Sequence, residues 1–192
     1  PAFEDQNGVT SVPIQFDKAQ SFFIVFRRKA NNRASGNAKN FSVWKEIATL
    51  KGAWQVQFDS LWGGQAKPVR MDTLQDWILN DRPGIKYFSG TAVYRKTFHV
   101  AARNLNAKKT AVFLDLGMVK DIVHVTLNNK DLGVIWTAPW KVQIPAGLLK
   151  AEHNHLVLEV SNVWANRLIG DEQEPADCSW LPGPLGDGRY LK

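Results

Sequence analysis

Short apolar runs and period-two alternation dominate the chain, whereas the spacing of amphipathic helices is scarce. A weak strand at residues 12–16 and a clear one at 21–26 are expected first, followed by a polar, asparagine-rich linker at 30–40. Further strands are predicted downstream at a spacing of about ten residues. They cover residues 52–58, 91–100, 110–116, 122–127, 132–136, 140–144 and 155–163.

Few helical turns interrupt these strands. Asp72 or Thr73 has the character of a cap before a short turn, and residues 145–150 are expected to form one helical turn. Asn128-Asn129 predicts a hairpin, because Asn tolerates the positive φ that tight turns need. After Val163 the alternation ends, so residues 164–192 are expected to lack regular structure.

Strands of this spacing with almost no helix predict an all-β fold, a β-sandwich or jelly roll. The length of 192 residues fits one domain, or one domain with a partial neighbour. The chain has eight tryptophans, which either fill a core or stack on sugar rings. Burial is the default for aromatic side chains, so the strand-pattern residues Trp54, Trp136 and Trp140 are assigned to the core.

Composition excludes several classes of protein. The net charge of +6 raises the question of nucleic acid, but there is no basic stripe, no helix-turn-helix spacing and no RNP-like strand, so none is expected to bind. No apolar run reaches the roughly 18 residues of a membrane span. The single cysteine, Cys178, excludes an intramolecular disulfide framework, and it has no neighbouring His to activate it as a nucleophile.

The order of motifs between residues 114 and 144 is distinctive. A strand ends at Gly117, a second strand and a tight turn lead to Leu132-Gly133-Val134, and Pro139-Trp140 opens the next strand. This order resembles the galactose-binding-like jelly roll of large glycoside hydrolases, including the sugar-binding domain of family 2. Residues 163–173 and 85–94 resemble the C-terminal region of family 106, the α-L-rhamnosidase-like enzymes. The resemblance covers approximately residues 54–189.

The resemblance implies an all-β, galactose-binding-like jelly-roll β-sandwich at residues 46–192, with a long irregular tail. Residues 1–45 resemble a remnant of a preceding β-domain, a strand pair plus the linker. The family carries its catalytic carboxylates on a (β/α)₈ barrel, for which this chain has no pattern. The family region also continues to a closing strand beyond the point where this sequence stops. We therefore expect a fragment of a larger hydrolase, or a small relative that kept the jelly roll.

The expected function is that of a non-catalytic accessory β-sandwich of a glycoside hydrolase, which supports the catalytic domain of the parent enzyme and contacts carbohydrate. A free-standing carbohydrate-binding module and a complete small glycosidase are the alternatives. The resemblance implies a rhamnose-containing plant or bacterial polysaccharide and a periplasmic or extracellular location. Any export signal is expected to lie outside this sequence, which opens at Pro1. An open sheet edge would also allow a homodimer.

The candidate carbohydrate-binding residues follow the last confident strand. Arg offers a planar fork to hydroxyls or carboxylates, Asn offers both a donor and an acceptor, and Trp offers a stacking face. The alternative is an Arg167–Asp171 pair that holds the loop to the sandwich. The candidate set is Trp164, Asn166, Arg167, Asp171, Glu172 and Trp180.

No catalytic residue and no metal site are assigned. Asp171, Glu172, Glu174 and Asp177 crowd one segment, but nothing fixes two of them across a sugar as glycoside hydrolysis requires. His153-x-His155 is half of a metal site without a third ligand, and its first histidine is expected in an exposed turn. No cofactor is expected. Structural calcium is compatible with the resembled fold, although the sequence has no Asp-rich loop for it.

Overall fold

The computed structural model describes residues 2–16, 20–27, 40–41, 44–105, 111–173, 179–181 and 189–191. The chain divides into two compact units, residues 1–47 and residues 48–192. All of the candidate site residues belong to the second unit. That residues 1–45 are the remnant of a preceding β-domain stays a prediction.

The first unit contains a short antiparallel hairpin, β1 (Glu4–Gln6) paired with β2 (Val9–Ser11). Its turn uses Asn7 and Gly8, at φ values of 53° and 77°. Both values lie in the left-handed region, which Gly adopts freely and Asn more readily than most residues. The hairpin therefore begins earlier in the chain than the alternation predicts.

The strands expected at 12–16 and 21–26 do not form, and that prediction is wrong. Phe23 is 97% exposed and Phe26 is 74% exposed. Alternation defines which face of a strand could be buried, but a strand also needs a partner for its backbone groups. The described part of the chain provides no such partner here. Residues 30–39 of the expected linker lie outside the described residues.

The second unit is built almost entirely from short strands, which confirms the all-β class. Among the described residues of this unit, two helices and a few 3-10 turns accompany them, the turns at Ser60–Trp62, Trp77–Leu79 and Ala102–Asn104. In chain order the elements are β3 (Trp54–Phe58), β4 (Val69–Met71), α1 (Pro83–Lys86), β5 (Thr91–Phe98), β6 (Val112–Asp115), β7 (Ile122–Leu127), β8 (Lys130–Ile135), β9 (Lys141–Ile144), β10 (Asn154–Ser161), α2 (Ala165–Gln173), β11 (Ser179–Leu181) and β12 (Arg189–Leu191).

Six strands form one antiparallel sheet in the order β4-β3-β5-β10-β7-β8. Successive side chains point to opposite faces, so alternate residues of the central strands β3, β5, β7 and β10 enter the core. Val56, Phe58 and Ala92 are completely buried, as are Val123 and Val125. Burial of such a Val or Phe side chain contributes roughly 1.5–3 kcal/mol, and this makes the inner face the main source of stability.

The other side of the core comes from the β6–β9 pair and from the segments around α1. Ile144 of β9 is buried, and Val112 and Leu114 of β6 pack against the same core. Phe58, Trp77 and Phe88 meet edge to face, with ring centroids 5.1–5.6 Å apart, an arrangement favoured by the aromatic quadrupole. The 3-10 turn and α1 are thereby fixed to the sheet.

The hairpin between β7 and β8 forms as predicted. Asn128 and Asn129 adopt φ values of 50° and 65°, and the N–H of Asn128 donates to the carbonyl of His155. The cap, by contrast, is Asp76 rather than Asp72 or Thr73, because its carboxylate accepts the N–H of Ile78. Residues 145–150 form a hydrogen-bonded turn rather than a helical turn.

Two further predictions are also wrong. Trp136 is 71% exposed instead of buried, whereas Trp54 is buried and Trp140 packs partly against the core. Trp136 follows β8, an edge strand of the six-stranded sheet, and none of the strands that the structure describes pairs with β8 on its outer side. Residues 164–192 were expected to lack regular structure, but the nine-residue helix α2 forms directly after Trp164, and β11 pairs with β12. No helix among the described residues is both long enough and apolar enough to cross a membrane.

Candidate functional site

The candidate carbohydrate-binding residues gather on α2, the helix that follows β10 along the chain. Asn166, Arg167, Asp171 and Glu172 lie in the helix, and Trp164 lies directly before it. Trp164 is 67% exposed. Glu172 is also exposed, whereas the other three residues are half-buried. The structure thus brings all of the candidates except Trp180 onto one short segment.

Arg167 ties the helix to the loop that follows α1. Its backbone N–H donates to Oγ of Ser89 at 2.9 Å. Its Nε lies 3.0 Å from Oδ1 of Asp171 one turn later, and the two side chains are only 21% and 16% exposed. Gly63 lies so close that a Cβ added there would be 3.0 Å from an Arg167 guanidinium nitrogen. The Arg167–Asp171 ion pair that the sequence offered as the alternative to sugar binding therefore forms. A role of these residues in sugar binding stays a prediction.

The side of α2 that contacts the rest of the protein carries a small residue rather than large apolar ones. Gly170 is its buried residue, and it lies against Tyr87. The hydroxyl of Tyr87 donates to Oε1 of Gln173 at 3.1 Å. The position of the helix is therefore set by the close approach of Gly170 to Tyr87 and by polar contacts near its two ends. Because these contacts need no apolar stripe, the sequence does not show the pattern that would predict the helix.

The apolar residues of this segment point outward. Trp164, Leu168 and Ile169 are 67%, 54% and 44% exposed, and we call these three residues the α2 surface. Leu61 and Trp62, which precede Gly63, are also exposed. Exposed large apolar side chains grouped in this way are typical of interaction sites.

The carboxylates of this segment do not form a hydrolytic pair. Adjacent residues of a helix project about 100° apart, so Asp171 and Glu172 do not face a common substrate. Oδ1 of Asp171 is also engaged by Arg167. Glu174 and Asp177 lie outside the described residues. Among the described carboxylates of the segment, the arrangement supports holding a surface together rather than proton transfer to a glycosidic oxygen.

The remaining candidates are placed as follows. Trp180 lies in β11, where its backbone pairs with Tyr190, but its side chain, like Cys178, lies outside the described residues. The predicted exposure of His153 is confirmed, because its side chain is 75% exposed in the segment directly before β10. Across the described part of the chain, no three His, Cys, Asp or Glu side chains converge as a metal site would require. Structural calcium, which also uses backbone carbonyls, stays a prediction.

Sequence reasoning missed a charged cluster on the outer face of the large sheet. Nδ1 of His124 on β7 lies 2.7 Å from Oε2 of Glu159 on β10, and its Nε2 lies 2.9 Å from Oδ1 of Asp131 on β8. The hydrogen bonds to Glu159 and then Asp131 raise the pKa of His124 above its ordinary value of 6.5. Alternation alone puts these residues on the outer face, but only strand order makes them neighbours.

Comparison with known proteins finds glycoside hydrolases. No protein-family model matches the chain. A protein of Formosa agariphila named "Putative beta-glucuronidase" is 44% identical over 128 residues, which are 67% of this chain and 11% of that protein. This chain therefore spans only a small part of that relative.

Solved structures give the same result. The rhamnosidase of Novosphingobium sp. PP1Y matches 74% of this chain and 14% of its own chain, with 35% identity and a TM-score of 0.62. A beta-glucuronidase of Lactobacillus rhamnosus matches 79% of this chain and 26% of its own, with 19% identity and a TM-score of 0.50, which shows the fold alone. The relatives of this chain are glycoside hydrolases, and its fold corresponds to a limited region of them.

Proposed function

We propose that this chain is a non-catalytic accessory β-sandwich of a larger glycoside hydrolase, where it supports the catalytic domain. The proposal rests on the difference between the two shares of the match to the Novosphingobium rhamnosidase. The match covers 74% of this chain but only 14% of the enzyme. The described carboxylates around α2 supply no hydrolytic pair, which agrees with catalysis residing elsewhere in a parent enzyme.

The finer assignment is a galactose-binding-like jelly roll of the family 106, rhamnosidase-like type. It is supported by the six-stranded antiparallel sheet facing the β6–β9 pair, and by the 35% identity to the Novosphingobium rhamnosidase. The parent enzyme would act on a rhamnose-containing plant or bacterial polysaccharide. It would work in the periplasm or outside the cell, where such polymers are met.

In this proposal the α2 surface is the contact with the catalytic domain. Trp164, Leu168 and Ile169 present apolar area, and the Arg167–Asp171 pair holds the helix that carries it. Burying this area against a second domain would gain about 25 cal/mol per Å². The same segment would then form part of the wall beside the substrate.

A free-standing carbohydrate-binding module is the second candidate. It is favoured by the exposure of Trp164, at 67%, beside the half-buried Asn166 and Arg167, since sugars need a stacking face together with donors and acceptors. Trp136, an exposed tryptophan that follows β8 and is not one of the candidate residues, provides a comparison.

Calorimetric titration separates the two candidates. The chain is titrated with rhamnose, galactose and a rhamnogalacturonan oligosaccharide, with and without calcium. The accessory role predicts no saturable heat with rhamnose or galactose. Saturable heat that disappears in Trp164→Ala but persists in Trp136→Ala would instead establish a binding module at α2. Heat seen only with calcium would support the structural calcium.

A domain exchange tests the accessory role directly. The corresponding region of the Novosphingobium rhamnosidase is replaced by residues 48–192 of this chain. We expect the chimera to keep soluble expression and rhamnosidase activity, and a Leu168→Asp chimera to lose both because the docking surface becomes charged. Full activity after simple deletion of the region would contradict a supporting role.

A homodimer through a sheet edge stays a separate proposal. β4 and β8 are the outer strands of the six-stranded sheet, and edge strands have unpaired backbone groups. Sedimentation equilibrium of the chain measures this directly: a single species of 21.6 kDa at all concentrations would contradict the dimer.

A further inference from the structure

Two arginines lie on the outer face of the large sheet. They belong to the half formed by β3, β4 and β5, whereas the His124 cluster belongs to the half formed by β7, β8 and β10. Strand register places Arg70 of β4 and Arg95 of β5 on either side of Gln55 of β3, in one row across the sheet. All three are exposed. Adjacent strands lie about 4.8 Å apart, so the arginine backbones are separated by about 10 Å.

An open groove of about 360 Å³ lies at this row. Its lining residues are Gln55, Arg70, Arg95 and Thr97, together with Trp54 and Lys96. Nζ of Lys96 is held there by the carbonyls of Gly52 and Ala53, at 2.8 and 3.0 Å. The groove thus combines cations with an amide and a hydroxyl.

The cations of the groove are weakly compensated. Arg70 pairs with Asp72, but both side chains are 75% exposed, and pairs of this kind contribute little in water. Arg95 makes no ion pair with any carboxylate that the structure describes. Its guanidinium is therefore available to a ligand, and a guanidinium binds a carboxylate through two parallel hydrogen bonds.

We propose that this groove binds an acidic saccharide, a short chain of sugars that bear carboxylates. Arg95 and Arg70 would each take a carboxylate, and their separation of about 10 Å requires more than one sugar ring. Gln55 and Thr97 lie among them with the donors and acceptors that hydroxyls need.

The charge of the neighbouring rows limits the length of the ligand. The row of Arg95 continues through Val157 and Thr126 to Asp131, and Glu159 lies in the adjacent row. A long polyanion, such as a nucleic acid, would run from the arginines onto these carboxylates and be repelled. The surface therefore fits a short acidic saccharide confined to β3, β4 and β5.

The test is titration of the full chain with trigalacturonate, with its methyl-esterified form as the uncharged control. We expect saturable, salt-sensitive binding of the acid only. Arg95→Ala should weaken binding about tenfold or more, since charge-assisted hydrogen bonds are lost. Arg95→Lys should recover only part of the lost affinity, because lysine restores the positive charge but not the planar guanidinium.

Control variants establish whether binding depends on this groove. Arg82→Ala removes another exposed positive charge, directly before α1, and should leave affinity unchanged. Equal losses in Arg82→Ala, equal binding of the esterified sugar, no binding at all, or tighter binding of a single-stranded oligonucleotide or of inorganic sulfate would each overturn the proposal. The proposed accessory role is judged by other experiments and does not depend on this result.

Discussion

Gly170 of α2 lies so close to Tyr87 that a Cβ added to the glycine would come within 2.6 Å of the tyrosine Cβ. Real Cβ atoms do not approach other carbons this closely. The tyrosine Cβ is fixed to its backbone, so it cannot move aside as the end of a flexible side chain would. This contact, together with the hydrogen bond from the Tyr87 hydroxyl to Gln173, fixes α2 against the segment that follows α1.

Gly170→Ala should therefore destabilise the protein. Overpacking of this kind costs about 1–3 kcal/mol, which equals or exceeds the gain of about 1 kcal/mol that Ala brings to a helix. Gly84→Ala in α1 is the matched control, because its Cβ would meet no atom closer than 3.4 Å. Chemical denaturation should show a loss for the first variant and none for the second. Equal stability of both variants would mean that α2 is not packed as described.

Asn154 is a buried polar residue whose amide is fully used. Its Oδ1 accepts from the N–H of Lys150 and from Nδ2 of Asn128, and its Nδ2 donates to the carbonyls of Lys150 and Phe98. Asn154→Ala leaves several of these buried groups without a partner and should cost about 2–4 kcal/mol. Gln143→Ala, at an exposed strand position, should change the denaturation midpoint little. A mild effect of Asn154→Ala would indicate that water replaces the amide.

Asp76 caps its 3-10 turn and also binds Lys120, whose Nζ lies 2.9 Å from Oδ2. The Lys120 hydrogen bond lowers the pKa of Asp76 below its ordinary value. Asp76→Ala should cost about 1 kcal/mol through loss of the cap. Asp72→Ala should cost less, because Asp72 makes only an exposed pair with Arg70. Thermal denaturation at pH 7 compares them, and the reverse order would restore Asp72 as the cap.

The His124 cluster predicts a pH dependence of defined sign. The pKa of His124 is raised above 6.5, so the stabilisation is fully present below that pH and is lost as the pH rises through the raised value. The pKa of Asp131 is lowered from 3.8, chiefly by the N–H of Gly133, so its share is lost as the pH falls through the lowered value. The Tm difference between the wild type and His124→Gln should therefore be largest between pH 3.8 and pH 6.5, the ordinary pKa values of Asp131 and His124.

The control for this experiment is His153→Gln, since the His153 side chain is 75% exposed and 4.0 Å from Glu152. Because substitutions of exposed side chains usually change stability by less than about 0.5 kcal/mol, its Tm should stay close to that of the wild type. High salt should reduce the His124 effect, because the cluster is partly exposed to solvent. A His124→Gln difference that does not vary with pH would show that the histidine contributes by packing alone.

Alternation in the sequence predicted most strands of the second unit and their inner faces, although not β4, β11 or β12. β7 begins and ends where the pattern predicts, and the Asn128-Asn129 hairpin follows from the backbone freedom of Asn. These features depend on neighbouring residues, so a linear pattern contains them. The all-β class follows from the same information.

Tertiary structure alone decided what depends on distant partners. The apolar stretch at residues 21–26 has the pattern of a strand but no described partner, and α2 is a helix without an apolar stripe because Gly170 meets Tyr87, a residue far away in the chain. The same holds for the sites: His124 with Glu159, and Arg70 with Arg95, become neighbours only through strand order and register. Alternation gives the face of a strand on which a residue lies, but the strand that lies beside it is fixed by packing of the whole fold.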